Sequence, residues 1–197
     1  KDVFTLKNLS KNKQIHSNIV NKVDKDNIGQ IIDGDAIITN EKNVPLLILT
    51  ADCVPVVLVD KVNKAVGLVH AGWRGTYGKI CSETLQSMKE NYNTNPEDVV
   101  AIIGPSIGKC CYEVSYDLVE KFSALLPNAD EKIYEIRDEK YYLDLWEINT
   151  QILKEFGVLK SNIINMNICT SCNCNRFFSY RKHDKTPKRI GTFIEIK

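Results

Sequence analysis

The chain has 197 residues, a net charge of +1 and the apolar (43%) and charged (26%) fractions of an ordinary globular protein, so it is long enough for one domain with a good core. It carries no basic block and no apolar run of bilayer-spanning length, which excludes the usual footprints of a nucleic-acid binder and of a membrane span. Its seven cysteines are odd in number and unevenly spread, which argues against a secreted disulfide scaffold and for reduced thiols in the cytoplasm.

The first residues, Lys1 to Phe4, resemble neither a signal peptide nor a native start, and some N-terminal sequence is expected to be missing. Pro45–Thr50, Val54–Asp60 and Ala65–Val69 are short apolar runs rich in branched residues and read as strands buried on both faces. Gly72 and Gly75 break the pattern, and Thr76 is placed to cap a helix through about Tyr92, with Ile80, Thr84, Leu85 and Met88 at helical spacing. Val99–Ile103 reads as a further strand, ended by Gly104-Pro105. Ser115 caps a second helix that stops before Pro127, and the charged stretch from 130 to 140 holds an edge strand, Ile133–Ile136. A third helix runs from about Asp144 to Phe156, with Gly157 as its end. Ile163–Ile168 and Ile190–Ile196 are late strands. Strands and helices alternate irregularly, so a mixed α/β (α+β) single domain over residues 1–197 is expected, not a regular doubly wound sheet.

Chemistry concentrates in four segments. His16, Cys53 and His70 offer two imidazoles and a thiolate, a set that suits Zn²⁺ with a fourth position left for water or substrate; the alternative is two histidines and a buried thiol that never meet. After His70, the loop Ala71-Gly72-Trp73-Arg74-Gly75 leads into a helix start, a place for an anion that Arg74 could grip bidentately. Only five of the 26 basic residues are arginine, so Arg74 and Arg181 are expected to be needed for their planar fork. Asp35, in a turn, could orient a ligating imidazole. Gly104-Pro105-Ser106-Ile107-Gly108 matches the elbow of serine hydrolases, but Lys109–Val114 does not read as the helix that must follow, and a glycine-rich pocket wall is the other reading. Cys169-Thr170-Ser171-Cys172 can hold a metal, an iron–sulfur cluster or a redox disulfide. No second C-x-x-C completes a four-cysteine site, although Cys110 and Cys111 could contribute, and packing or a redox-sensitive pair is the default.

Read together, Thr50–Pro55, His70–Gly75, Gly104–Gly108, Cys169–Cys172 and Phe177-Phe178-Ser179-Tyr180-Arg181 resemble the YfiH/YlmD "laccase domain" family, first described as multicopper polyphenol oxidases and now as purine nucleoside phosphorylases. The resemblance runs from about Gln14 to the C-terminus. It implies an α/β/β/α layered fold with mixed sheets, shared with a bacterial toxin's cysteine-hydrolase domain, and a zinc site at His16, Cys53 and His70. It further implies phosphorolysis of adenosine, inosine and methylthioadenosine, with adenosine deamination as a second activity. Purine nucleoside and phosphate are then the partners. Cys53, His70 and Arg74 form the expected catalytic set, and Arg74, Arg181, Ser106 and Asp35 the expected substrate contacts. Copper is the alternative metal, as a single ion, because three histidines are too few for a multicopper centre. Other readings are hydrolysis by a Cys53 nucleophile with His70 as base, a copper-dependent polyphenol oxidase, and a non-enzymatic cell-wall or division partner. Asp35, Asp52 and Glu113 are the candidates for a general acid, and the oligomeric state is open between monomer and weak dimer.

Overall fold

The near-continuous apolar runs of the sequence become the middle of a six-stranded mixed sheet, where both faces are covered and no polar alternation is needed. A computed structural model describes residues 4–129 and 133–197. Residues 1–3, on which the expectation of a missing N-terminal segment rests, and 130–132, at the start of the charged stretch, lie outside these. In chain order the strands and helices are β1 (Ser10–Lys11), β2 (Val20–Lys22), β3 (Ala36–Thr39), β4 (Leu46–Thr50), β5 (Val54–Asp60), β6 (Ala65–Ala71), α1 (Trp73–Tyr77) and α2 (Ile80–Tyr92). They continue as β7 (Val99–Ile103), β8 (Glu113–Val114), α3 (Tyr116–Leu125), β9 (Tyr134–Arg137), β10 (Lys140–Leu143), α4 (Leu145–Phe156), β11 (Ile163–Asn165) and β12 (Ile190–Ile194).

The large sheet has the order β11-β7-β5-β6-β3-β2, with parallel pairs only at its two margins, β11–β7 and β3–β2. Helix α2 lies across β6, β3 and β2 and packs in turn on α4 and α1. The opposite face carries the small sheet, three-stranded with the order β1-β4-β12, and a separate antiparallel ribbon, β8-β10-β9, supports α3. The mixed-sheet α+β class is thus as expected.

Two cores result. Val54, Val56, Leu58, Val69, Leu85, Met88, Ile148 and Ile152 fill the helix side; Ile37, Leu46, Ile48, Val66 and Leu68 fill the space between the sheets. Within β6 the side chains alternate: Val66, Leu68 and His70 share the face toward the small sheet, while Gly67 and Val69 face α2. Gly67 lets α2 lie close: a Cβ there would come within 3.2 Å of Met88 Sδ and Thr84 Cγ2, and those side chains would have to shift.

Local chemistry sets the helix ends. Asp144 caps α4, its carboxylate accepting from the Glu147 N–H at 3.1 Å, and Gly157 ends it at φ +113°. Ser115 stands at the N-cap of α3 without a side-chain hydrogen bond. The long helix expected from Thr76 divides: α1 begins at Trp73, the chain turns at Gly78 and the left-handed Lys79 (φ +53°), and α2 starts afresh. Thr76 is therefore no cap; it is buried inside α1, its hydroxyl accepting from Asn149 Nδ2 at 3.2 Å. Strand β11 is shorter than expected because Asn167 adopts φ +53° and turns the chain away. Leu68 sits fully buried between the sheets, so Leu68→Ala should cost about 2–5 kcal/mol, read as a lower urea midpoint. Ile164→Ala, at an exposed position of the margin strand β11, should stay within about 0.5 kcal/mol.

Candidate functional site

His70 arrives at the end of β6 on the small-sheet face, 3% exposed. Across the ladder it pairs with Pro55 of β5, so the turn just before β5 brings Cys53 to the same end of the sheet. The turn is sharp: Asp52 has φ +84°. His16 comes from the loop between β1 and β2, also with positive φ (+61°). The sequence separates these residues widely, and the fold brings them together. One ligand atom from each of His16, Cys53 and His70 lies within 4.8 Å of the others, with Cys53 Sγ 4.0 Å from His16 Nε2. The two imidazoles meet edge to face at 4.9 Å between centroids. Gly72 makes the approach possible, since a Cβ there would lie 3.1 Å from both Cys53 Sγ and His16 Cδ2.

Asp35 holds this arrangement. Its fully buried carboxylate accepts hydrogen bonds from His70 Nδ1 (2.8 Å), from the backbone N–H groups of His16 (3.0 Å) and Ser17 (2.6 Å) and from the Ser17 hydroxyl (2.7 Å). With Nδ1 engaged, Nε2 of His70 is the nitrogen left for a ligand. Gln14 clamps the same loop to β4, exchanging two hydrogen bonds of 2.8 Å with the Leu49 backbone.

Charge follows geometry. Burial pushes the Asp35 carboxyl up, but the bonds from His70, Ser17 and His16 outweigh it and hold the group well below the usual carboxylate range. Burial disfavours the His70 imidazolium, yet Asp35 and Cys53 raise it to about 9. Burial likewise opposes the Cys53 thiolate, and the two imidazoles prevail, holding the thiol at about 6. A cluster that stabilises a thiolate and orients two imidazole nitrogens suits a borderline-soft divalent metal, so these three side chains could hold one ion.

The cluster opens into a cleft of ≈ 740 Å³ that is also lined by Arg74, Arg181, Arg189, Trp73, Tyr112 and Tyr180. The Arg74 guanidinium stacks 4.2 Å over the Trp73 ring. Arg181 lies 5.4 Å from the Tyr112 ring and donates from Nη1 to the Glu113 carbonyl at 3.0 Å. The helix start after His70 is that of α1, which is only five residues long. Positive charge in the cleft comes from arginine side chains.

Two expected substrate contacts fall outside the cleft. Asp35 is completely buried and orients His70 instead. Ser106 is buried too, its hydroxyl donating to the Gly104 carbonyl at 3.1 Å and accepting from Trp146 Nε1 at 2.6 Å. No helix follows it, so the serine-elbow reading fails on both counts. Among the general-acid candidates, Asp52 is spent as an anchor, accepting from the Thr170 hydroxyl and the Arg181 backbone N–H at 2.7 Å each. Glu113 is ion-paired to Lys140. Tyr112 was not singled out by sequence. Burial and the Cys53 thiolate raise its phenol to about 12, against the pull of Arg181 and Arg74, so it keeps its proton in a wall of the cleft. Its only sequence signal is its place in Cys110-Cys111-Tyr112-Glu113.

Comparison with known proteins gives a consistent result. The family described as multi-copper polyphenol oxidoreductase laccase matches residues 2–197. The chain is 36% identical over 192 residues to the Bacillus subtilis purine nucleoside phosphorylase YlmD, covering 93% of this chain and 69% of that protein. It is equally 36% identical over 195 residues to a purine nucleoside phosphorylase of Clostridium acetobutylicum, covering 98% and 79%. The crystal structure of the Bacillus licheniformis protein YfiH superposes with a TM-score of 0.93 at 31% identity, over 99% of this chain and 76% of that one. With fold, sequence and cleft in agreement, the chain belongs to the multi-copper polyphenol oxidoreductase laccase family, among proteins that carry the name purine nucleoside phosphorylase.

Proposed function

We propose that this protein is a zinc-dependent purine nucleoside phosphorylase, acting on adenosine, inosine or methylthioadenosine with phosphate, and deaminating adenosine in the same cleft. The observation that carries the reading is the convergence of His16, Cys53 and His70 with Arg74 and Arg181 on one cleft of nucleoside-plus-phosphate size. The names of the relatives support the same reaction class.

In phosphorolysis a phosphate oxygen bonds to the anomeric carbon, the N-glycosidic bond breaks, and its electron pair leaves on the purine, which takes a proton at a ring nitrogen. Arg74 and Arg181 hold the phosphate between two planar forks. Trp73 and Tyr180 offer aromatic faces to the purine, and Tyr112, still protonated at neutral pH, is a hydroxyl donor beside them. His16, Cys53 and His70 would hold zinc, with Asp35 fixing the His70 ring; the bound ion would supply Lewis acidity and a water of lowered pKa for deamination. Three histidines in the whole chain are too few for a multicopper oxidase centre, so copper would enter only as a single ion. Seven unpaired thiols fit a reducing cytoplasm.

One observation favours a second reading: without metal, the thiol held at about 6 by two histidines is an activated nucleophile.

Three outcomes test these assignments. Zinc-replete protein given adenosine and phosphate should yield adenine and ribose 1-phosphate, and inosine when phosphate is omitted; Arg74→Ala should raise the KM for phosphate at least about tenfold. Absence of any product would sink the phosphorylase reading. In metal-free protein, alkylation of Cys53, followed by peptide mapping, should speed up through a midpoint of about 6 as pH rises, in place of the ordinary 9.0, and zinc should suppress it. Alkylation of Cys53 at an unchanged rate in zinc-loaded, active enzyme would move the assignment to the cysteine-nucleophile reading. Asp35→Asn should weaken zinc binding about 10–100-fold in chelator competition. An unchanged affinity would mean that the carboxylate does not orient the ligand.

A further inference from the structure

A second cluster lies outside the residues used above. Cys110, Cys111, Cys169 and Cys172 each place a sulfur within 4.8 Å of the other three. Cys172 Sγ is 3.5 Å from Cys110 Sγ and 3.4 Å from Cys111 Sγ. Four thiolates on a tetrahedral zinc, with bonds of about 2.3 Å, stand roughly 3.8 Å apart, and the closest separations fall at this scale. A four-iron cluster would hold its thiolates much farther apart around its cubane. The arrangement also does not resolve into two disulfides, because Cys172 is shared between two partners and all four cysteines are free.

The backbone is organised around the sulfurs. Strands β7 and β11 are parallel, so the chain leaves both at the same end of the sheet, and the two exits stay laced together: Ser106 N–H to Ile168 O at 3.1 Å and Thr170 N–H to Ser106 O at 3.0 Å. On one exit, the N–H groups of Cys111 and Tyr112 both return to the Gly108 carbonyl, a tight turn that lets two adjacent cysteines face one point. On the other, Cys169-x-x-Cys172 has the spacing of a metal knuckle. The Gly108 N–H donates to Cys169 Sγ at 3.4 Å, the contact a ligating sulfur accepts. The Arg137 guanidinium bonds the Lys109 and Cys110 carbonyls at 2.9 and 3.1 Å, positive charge beside a site whose four thiolates exceed the charge of a divalent ion.

We infer that Cys110, Cys111, Cys169 and Cys172 form a closed, four-coordinate zinc site whose role is structural. Binding displaces the thiol protons to solvent and leaves no open position, so the site takes no part in turnover. It staples the two exits that carry the cleft wall. Ile107 and Tyr112 lie on one exit, and Thr170, on the other, bonds Asp52, which in turn holds the Arg181 backbone.

The test is zinc content and thiol protection in the full chain, purified anaerobically with reductant and supplied with zinc. Wild-type protein should hold one more zinc per chain than Cys110→Ser/Cys172→Ser, and that extra zinc should remain in a His16→Ala/His70→Ala variant, which separates this site from the cleft metal. Equal zinc in the wild type and the double-serine variant overturns the assignment. Should the double-serine variant not fold, wild-type protein decides: peptide mapping should show Cys110 and Cys172, both exposed, alkylated about tenfold or more slowly with zinc than after chelation. Equal rates, or a disulfide at Cys172 in zinc-supplied protein, overturn it. None of these readouts depends on nucleoside chemistry.

Discussion

The candidate site depends on one buried carboxylate. Asp35 fixes the His70 ring through one oxygen and gathers the backbone of the His16 loop through both. A side chain without water at that place has to be fully partnered, and the groups that partner it are the elements that carry two of the three cluster residues. Its own chain position adds to the link: Asp35 O accepts the His70 N–H at 2.7 Å, so the β3–β6 ladder continues into the site. The orientation of His70 and the course of the N-terminal loop both trace back to this residue.

From that anchor the chemistry spreads outward by charge. The Cys53 thiolate and the His70 imidazolium stabilise one another inside the cleft, and two guanidinium groups flank them, that of Arg74 from α1 stacked on Trp73 and that of Arg181 from a loop near Tyr112. Negative groups that could have cancelled those arginines are spent elsewhere, Asp52 on Thr170 and the Arg181 backbone and Glu113 on Lys140. The result is a cleft lined by exposed guanidinium groups, the buried His70 imidazole and the half-buried Cys53 thiol.

The central strands were legible because burial on both faces writes itself into the sequence: Val54–Asp60 has the same limits in both readings, and Asp144 and Gly157 marked the ends of α4. The break between α1 and α2 was not, since Gly78-Lys79 is as compatible with a helix interior as with a left-handed turn until the packing of Thr76 on Asn149 is known. The sequence left Asp35 open between orienting an imidazole and touching substrate, and its burial against His70 favours the first; Ser106, expected at the substrate, is buried against Trp146. A polar residue in a motif looks alike in sequence whether it faces a ligand or a buried partner. The cysteine cluster hung on the parallel pairing of β7 with β11, a long-range fact that no local pattern of Cys110-Cys111 could state.

The small sheet carries a consequence of its own. Its middle strand, β4, is flanked on one side by β1 near the start of the chain and on the other by β12 near the end, and Thr5 is bonded to Glu195 through both its N–H and its hydroxyl. During synthesis His16, Cys53 and His70 therefore leave the ribosome long before Arg181 and the strand that completes the sheet beneath them. Until Arg181 and β12 emerge, the nascent chain carries a set of thiolate and imidazole donors with one wall of their cleft still unmade.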